Sequence, residues 1–146
     1  MVGNFSNEDE KHQFYKILDE PINNVKIQLI GFVNRNKLYK YYQNADFTII
    51  PAVWDEPFSR VPLESMACGT PCIATRSTGI NDLINAKAPI LLIDKNNAES
   101  LGETLQPFYK LGTKYTNLCV KGKKFIQSKY TFNHYMNNVV RELFTK

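Results

Sequence analysis

The chain has 146 residues, of which 43% are hydrophobic and 12% aromatic, and these values are typical of one domain with a buried core rather than of a disordered chain. No run of about 18 apolar residues occurs, which argues against a membrane-spanning helix. The net charge of +4 is uneven, because residues 1–104 carry ten basic and thirteen acidic side chains while residues 105–146 carry eight and one. This basic tail is either a solvated helical face or a surface for anionic lipid or an anionic substrate.

Short apolar strands alternate with amphipathic helices along most of the chain. The sequence predicts strands, in chain order, at 25–31, 47–50, 72–75 and 90–93. It predicts helices at 36–44, 60–68, 80–85 and, toward the end of the chain, at about 97–110, 114–128 and 132–144. Ser59 is the predicted N-cap of the helix at 60–68, and Gly69 with Pro71 is predicted to end that helix.

This alternation predicts a doubly wound α/β fold, in which right-handed crossovers join the strands of a parallel, Rossmann-like sheet. We expect a single domain over residues 1–146, with a sheet-containing core at about 1–95 and a helical tail at about 97–146. Ligands bind beyond the carboxyl ends of the strands in such sheets. The segments 31–36, 51–60 and 76–81 are therefore the candidate site.

Several classes of protein are disfavoured by individual residues. Cys68, Cys72 and Cys119 suit reduced thiols in the cytoplasm better than a disulfide framework, and with two distant histidines they supply too few ligands for zinc. Residues 1–20 lack the pattern of a signal peptide, and the basic residues are not interleaved with aromatics as in nucleic-acid-binding modules. We expect a cytoplasmic protein, with the basic tail as its contact if it meets the inner membrane face.

Residues 51–71 contain the most candidate binding residues, and they place two carboxylates after a predicted strand. Glu56 lies in the predicted loop and Glu64 in the next helix, so both can face one crevice and accept hydrogen bonds from the vicinal hydroxyls of ribose or a hexose. The amides of Ser59, Arg60 and Val61 open that helix, and a helix N-terminus favours an anion such as phosphate. These residues predict a site for a phosphorylated, hydroxyl-rich ligand.

The same segment carries a family resemblance. Residues 54–75, W-D-E-P-F-S-R-V-P-L-E-S-M-A-C-G-T-P-C-I-A-T, resemble the E-x7-E signature of retaining glycosyltransferases of family 4, which have the GT-B fold. Residues 25–33 and 38–51 are similar to flanking runs of that family, and 130–133 resemble the start of its final helix. The resemblance implies the donor-binding half of an enzyme that transfers a sugar from a nucleotide diphosphate sugar to an acceptor, with retained configuration, in polysaccharide or glycolipid biosynthesis. No metal or other cofactor is implied.

The resemblance also implies a role for each matching residue. Glu64 would bind the ribose of a UDP-, GDP- or ADP-linked donor, and Glu56, the implied catalytic residue, would contact the transferred sugar. The implied contacts of the sugar and the diphosphate are the backbone at Phe58, Ser59, Arg60 and Val61, together with Thr78 and Gly79 near the pyrophosphate. Gly31 is a further implied donor-site residue, and the residues implied to border the base are Phe32, Val33, Asn34 and Leu38.

Some residues depart from the family pattern or have a plainer interpretation. Ser59 replaces the glycine that lets the backbone approach the sugar, and the exposed cation Arg60 fits a helix start as well as a phosphate contact. Tyr39, Tyr41 and Tyr42 are interpreted as helix packing residues rather than as a ligand platform.

The family's N-terminal acceptor domain, and the Arg…Lys pair that grips the donor diphosphate, have no counterpart in the sequence. The chain is therefore expected to be a fragment that is inactive alone and binds nucleotide weakly, with a dissociation constant around a millimolar. Its expected partner is the missing domain or another chain. The alternatives are a stand-alone nucleotide-binding or regulatory module that acts with a partner chain, and an inactive fragment with a purely structural role.

Overall fold

The computed structural model describes residues 7–18, 25–54, 59–131 and 133 of the chain. The chain divides into two compact units, Met1–Leu38 and Tyr39–Lys146. Helix α2, Arg35–Asn44, begins in the first unit and ends in the second. The organisation of residues 1–146 as one domain stays a prediction.

The first unit contains a helix that the sequence did not predict, α1 at Glu8–Leu18. Residues 25–30 have no regular structure and Gly31, with φ 71°, forms an isolated bridge, so the predicted strand at 25–31 is wrong. A strand requires a hydrogen-bonded neighbour along its length, and an apolar pattern alone does not supply one. Asn34, the residue before α2, caps the start of this helix. Its side-chain oxygen accepts a hydrogen bond from the amide of Asn36 at 3.1 Å.

The second unit is built on a parallel sheet. Its strands are β1 at Thr48–Ile50, β2 at Cys72–Thr75 and β3 at Leu91–Ile93, and they lie in the order β1-β2-β3. Helix α3 at Val61–Cys68 connects β1 to β2, and α4 at Thr78–Asn85 connects β2 to β3. The chain continues through α5 at Ala98–Leu105, a 3-10 turn at Gln106–Phe108, and α6 at Thr113–Lys129. The predicted α/β fold with parallel strands is confirmed.

Several helix boundaries differ from the prediction; α4, for example, begins at Thr78 rather than at residue 80, and two further differences have a local cause. Arg60 rather than Ser59 occupies the N-cap position of α3, and the buried Ser59 instead donates its amide to the carbonyl of Gly79 in α4. The helix predicted at 97–110 ends as an α-helix at Leu105, because Pro107 has no amide hydrogen to continue it. The helix predicted at 132–144 lies outside the described residues except for residue 133.

The core of the second unit lies between the sheet and the helices. All four residues of β2 are buried, and Cys72 and Ala74 pack with Ile80 of α4. Met66 of α3 packs with Leu83 of α4 and Phe125 of α6, so the last described helix covers the first crossover. None of the helices in the described ranges is long and apolar enough to cross a bilayer.

An aromatic cluster fixes the amino end of β1. The ring of Phe47 meets the ring of Phe108 at 5.4 Å and that of Tyr115 at 5.5 Å, both edge to face. The hydroxyl of Tyr115 donates to the carbonyl of Asp46 at 3.0 Å. Helix α6 is therefore attached at the end of the strand opposite to the candidate site.

Candidate functional site

The candidate site lies at the carboxyl ends of β1 and β2. Thr75, the last residue of β2, is buried, and its hydroxyl donates to the carbonyl of Ala52 at 2.6 Å in the loop that follows β1. This bond ties the end of β2 to the loop that follows β1, at the edge of the sheet where ligands bind in parallel α/β folds.

A second bond joins the residue before the cap of α3 to the start of α4. The amide of Ser59 donates to the carbonyl of Gly79 at 3.4 Å, so the residue before the cap of α3 meets the first turn of α4. The N-cap residues, Arg60 and Ser77, make no side-chain capping hydrogen bond. Two helix N-termini thus lie side by side without the usual side-chain acceptor, and both direct the positive end of a helix dipole toward this edge.

Glu64 lies in the first turn of α3 and is held by a residue of α2. The phenolic hydroxyl of Tyr42 donates to Oε2 of Glu64 at 3.1 Å. Burial, and then the negative charge of Glu64, raise the pKa of Tyr42 above its ordinary value of 10.0. The phenol is therefore protonated at neutral pH and acts as the donor to the carboxylate.

Buried hydroxyl groups anchor this pair to the rest of the unit. The hydroxyl of Thr70 donates to the backbone carbonyl of Tyr42. Ser65, beside Glu64 in α3, donates to the carbonyl of Thr70 at 2.8 Å, and its hydroxyl oxygen lies 2.8 Å from that of Thr48 in β1. The end of α2, the first crossover helix and β1 are thus fixed relative to one another.

The structure brings together some of the residues predicted to bind the donor. Ser59 contacts Gly79, and Arg60 and Val61 begin the helix that carries Glu64. Gly31, Phe32, Val33, Asn34 and Leu38 belong to the first unit, where the Phe32 side chain is 80% exposed and the backbone carbonyl of Asn34 accepts the amide of Leu38 at 3.1 Å.

Three predicted positions are described in part or not at all. Thr78 is the first residue of α4, and its side chain lies outside the described part of the structure. Glu56 and Phe58 lie outside the described residues altogether. The implied roles of these three residues, like those of the other predicted donor-site residues, stay predictions.

Tyr42 is the residue of the site that the sequence interpretation missed. The sequence indicates helix packing for Tyr42 as for Tyr39 and Tyr41, and the latter two are exposed on the same helix. The sequence does indicate that Tyr42 has a polar partner. A tyrosine on the apolar face of an amphipathic helix is buried, and its hydroxyl then needs a hydrogen-bond partner. The pairing itself joins residues 22 positions apart and has no local signature.

The cysteines near the site are poor nucleophiles. Burial raises the pKa of the Cys72 thiol to about 12, from an ordinary value of 9.0. Burial and the charge of Glu64 raise the pKa of Cys68 as well. Among the residues that the structure describes, no three His, Cys, Asp or Glu side chains come together as a metal site.

Two curated proteins are similar to about half of the chain. An uncharacterized glycosyltransferase of Methanocaldococcus jannaschii is 37% identical over 76 residues, which are 52% of this chain and 19% of the relative. A D-inositol 3-phosphate glycosyltransferase of an Arthrobacter species is 35% identical over 77 residues, which are 53% of this chain and 18% of the relative. The matched part of each relative is therefore less than a fifth of its length.

Solved structures share the fold at lower sequence identity. Sucrose-phosphate synthase from Thermosynechococcus elongatus matches 99% of this chain and 38% of its own, with a TM-score of 0.78 and 24% identity. The Anabaena protein HepE, solved in complex with UDP-glucose, matches 99% of this chain and 40% of its own, with a TM-score of 0.82 and 16% identity. These likenesses show that the fold is that of one part of a GT-B glycosyltransferase.

A family model confirms the broader part of the resemblance, that to glycosyltransferases. The model described as glycosyl transferases group 1 matches residues 1–125, which include the segment with the paired glutamates and both loops of the candidate site. The chain therefore belongs to the glycosyl transferases group 1 family.

Proposed function

We propose that the chain is the donor-binding part of a retaining glycosyltransferase of family 4, which transfers a sugar from a nucleotide diphosphate sugar to an acceptor. The observation that carries the proposal is the hydrogen bond between Ser59 and Gly79, because it brings two predicted donor-binding segments together beside Glu64. Each segment starts a helix that lacks a side-chain cap. A diphosphate offers the negative charge that such helix starts favour.

Glu64 is the proposed ligand of the nucleotide ribose. Its carboxylate lies in the first turn of α3, next to the proposed diphosphate position, and carboxylates accept hydrogen bonds from vicinal hydroxyls. The UDP-glucose complex of the structural neighbour HepE supports a nucleotide sugar as the donor. We propose UDP, GDP and ADP as the nucleotides to compare.

The remaining roles follow from the family resemblance. Glu56 is proposed to contact the transferred sugar, and Phe58 and Thr78 are proposed to lie along the donor. The proposed base-binding residues are Phe32, Val33, Asn34 and Leu38, with Gly31 beside them. The retaining reaction needs no protein nucleophile, because the donor phosphate assists a front-face displacement in this family. The acceptor is proposed to bind to a separate domain or a partner chain, so this chain alone is expected to be inactive.

The basic tail supports a proposed second contact, with an anionic membrane surface. Helix α6 carries five lysines and no acidic residue, and Tyr109 and Leu111, which precede it, are exposed. Positive charge beside exposed apolar side chains is typical of peripheral membrane contacts. Vesicles with and without anionic lipid would test this contact by co-sedimentation.

An amide-resolved NMR titration with UDP, GDP and ADP tests the donor site. We expect chemical-shift changes at the amides of residues 31–38 and 56–64. We also expect a dissociation constant around a millimolar and a preference for one base. Glu64→Gln should weaken binding about tenfold, because a hydrogen bond to a charged group contributes roughly 1.5–3 kcal/mol. Glu103→Gln, at an exposed glutamate of α5, is the matched control and should bind like the unmodified chain.

Two results would contradict the proposal. A folded chain whose spectrum does not change with any of the three nucleotides would leave only the structural or partner-dependent alternatives. If the nucleotide causes the same chemical-shift changes in the unmodified chain and in Glu64→Gln, the nucleotide does not bind at Glu64.

A further inference from the structure

We propose that Tyr42 is a positioning residue that orients the Glu64 carboxylate toward the ribose, and that the Tyr42–Glu64 pair thereby selects ribonucleotides over 2′-deoxyribonucleotides. The inference rests on the proposed function, since it concerns the nucleotide that Glu64 is proposed to bind. It is carried by the 3.1 Å hydrogen bond from the phenol to Oε2 of Glu64.

Tyr42 is suited to this role because its own position is fixed. The side chain is buried, and the hydroxyl of Thr70 holds the Tyr42 backbone carbonyl. Thr70 is fixed in turn by Ser65, one residue from Glu64 in α3, so donor and acceptor are anchored to the same hydroxyl network. The phenol is therefore a donor of fixed direction.

Glu64 needs such a donor because its side chain is long. A glutamate loses considerable rotamer freedom when it is ordered, and a ligand must meet that cost when the free protein leaves the carboxylate mobile. A hydrogen bond from Tyr42 orders one carboxylate oxygen before the ligand arrives. A carboxylate has about four lone-pair sites, so this bond is compatible with further bonds from two vicinal hydroxyls.

Selectivity follows from the number of hydroxyls that an oriented carboxylate can bind. The 2′- and 3′-hydroxyls of ribose can donate to one carboxylate together, whereas a 2′-deoxyribose offers only one of them. The gain from the second hydroxyl depends on the direction of the carboxylate, because hydrogen bonds weaken steeply when they are bent. Loss of the Tyr42 hydroxyl should therefore reduce the affinity for ribonucleotides more than that for deoxyribonucleotides.

The experiment measures dissociation constants by NMR titration for UDP, GDP and ADP, each beside its 2′-deoxy form. The unmodified chain should prefer the ribose form of the nucleotide that it binds best. Tyr42→Phe should bind that ribonucleotide about fivefold to tenfold more weakly and its deoxy form less than about twofold more weakly, so the preference largely disappears. Tyr41→Phe makes the same chemical change at an exposed neighbour and should retain the preference.

A purely structural effect is separated by a third variant. Ser65→Ala removes a hydroxyl of the anchoring network but leaves the atoms of the phenol–carboxylate bond in place. If Tyr42 only stabilises the fold, Tyr42→Phe and Ser65→Ala should lower the affinity for both sugar forms by equal factors. A preference for ribose that persists in Tyr42→Phe overturns the inference.

The failure of the proposed function has a different signature. In that case the unmodified chain binds none of the six nucleotides, and both the function and the role of Tyr42 are rejected. If the chain binds nucleotide and Glu64→Gln weakens binding while Tyr42→Phe does not, only the role of Tyr42 is rejected.

Discussion

Hydroxyl groups inside the second unit are buried together with their hydrogen-bond partners. Ser65 and Thr70 donate to backbone carbonyls, and Thr75 at the end of β2 donates to a carbonyl in the loop after β1. No buried side-chain nitrogen or oxygen within the described ranges lacks a partner. Because an unpaired buried polar group costs about 1–3 kcal/mol, these polar residues are compatible with a stable core. They also determine where Tyr42 and Glu64 lie.

The Cys72 thiol should be protected from modification in the folded chain. Its side chain is fully buried and its pKa is raised by that burial, so both access and thiolate formation are suppressed. At pH 8, a thiol reagent such as DTNB should react with Cys72 only after unfolding in urea. The Cys72→Ala variant should therefore show the same number of reactive thiols as the unmodified chain under native conditions. A native count that falls by one in this variant would contradict the structure.

At the scale of elements, short helices are ended by residues that cannot continue them. Helix α3 ends at Cys68 and is C-capped by Gly69, which has φ 91° and donates its amide to the carbonyl of Met66 at 3.0 Å. Pro71 follows and β2 begins at the next residue. Glu64 thus lies on a helix whose end is defined by Gly69 and Pro71. The first turn of this helix therefore stays near the carboxyl end of β1.

Two glycines within helices provide a comparison of free and packed helix surfaces. In α5, a Cβ added at Gly102 meets nothing within 4 Å, so Gly102→Ala should stabilise the fold by about 0.4–1 kcal/mol. In α6, a Cβ at Gly122 would lie 3.2 Å from Cγ of Met66, so the helix gain of Gly122→Ala is offset by crowding in the core. Urea unfolding should therefore rank Gly102→Ala above Gly122→Ala. The reverse order would mean that α6 does not pack on α3 as described.

The sequence predicted those elements that local patterns determine. β1, β2 and α3 were placed within one residue, because apolar runs bounded by Pro and Gly mark their ends. Helix α1 was missed since its residues are mostly polar, and the strand at 25–31 was predicted from apolar content without a pairing partner. For the site, Glu64 and the helix start could be found from spacing, while the bond from Tyr42 arises only when α2 and α3 pack together.

At the scale of the whole molecule, we expect stability to fall at alkaline pH. The pKa of Cys72 is raised to about 12 in the folded state, so its contribution to the free energy of unfolding is complete below about pH 9 and is lost as the pH rises toward 12. The slope is at most about 1.4 kcal/mol per pH unit for one such group. The pKa values of Tyr42 and Tyr115 are also raised in the folded state. These two residues should therefore also lower the free energy of unfolding as the pH rises above about 10.

Urea unfolding between pH 8 and pH 10.5 measures this slope. The Cys72→Ala variant should be less stable at pH 8 because it loses buried volume, but its stability should fall less steeply between pH 9.5 and pH 10.5. Equal slopes in the two proteins would show that the Cys72 thiol titrates normally in the folded state.

The bond between Tyr115 and Asp46 joins residues 69 positions apart, and Phe125 of α6 completes the cluster begun by Met66 and Leu83. All three strands of the described sheet are synthesised before α6. A nascent chain that has emerged only as far as β3 therefore presents the apolar surfaces of α3 and α4 without their cover. We expect chaperones to bind these two helices during translation, and to be released when α6 leaves the ribosomal exit tunnel.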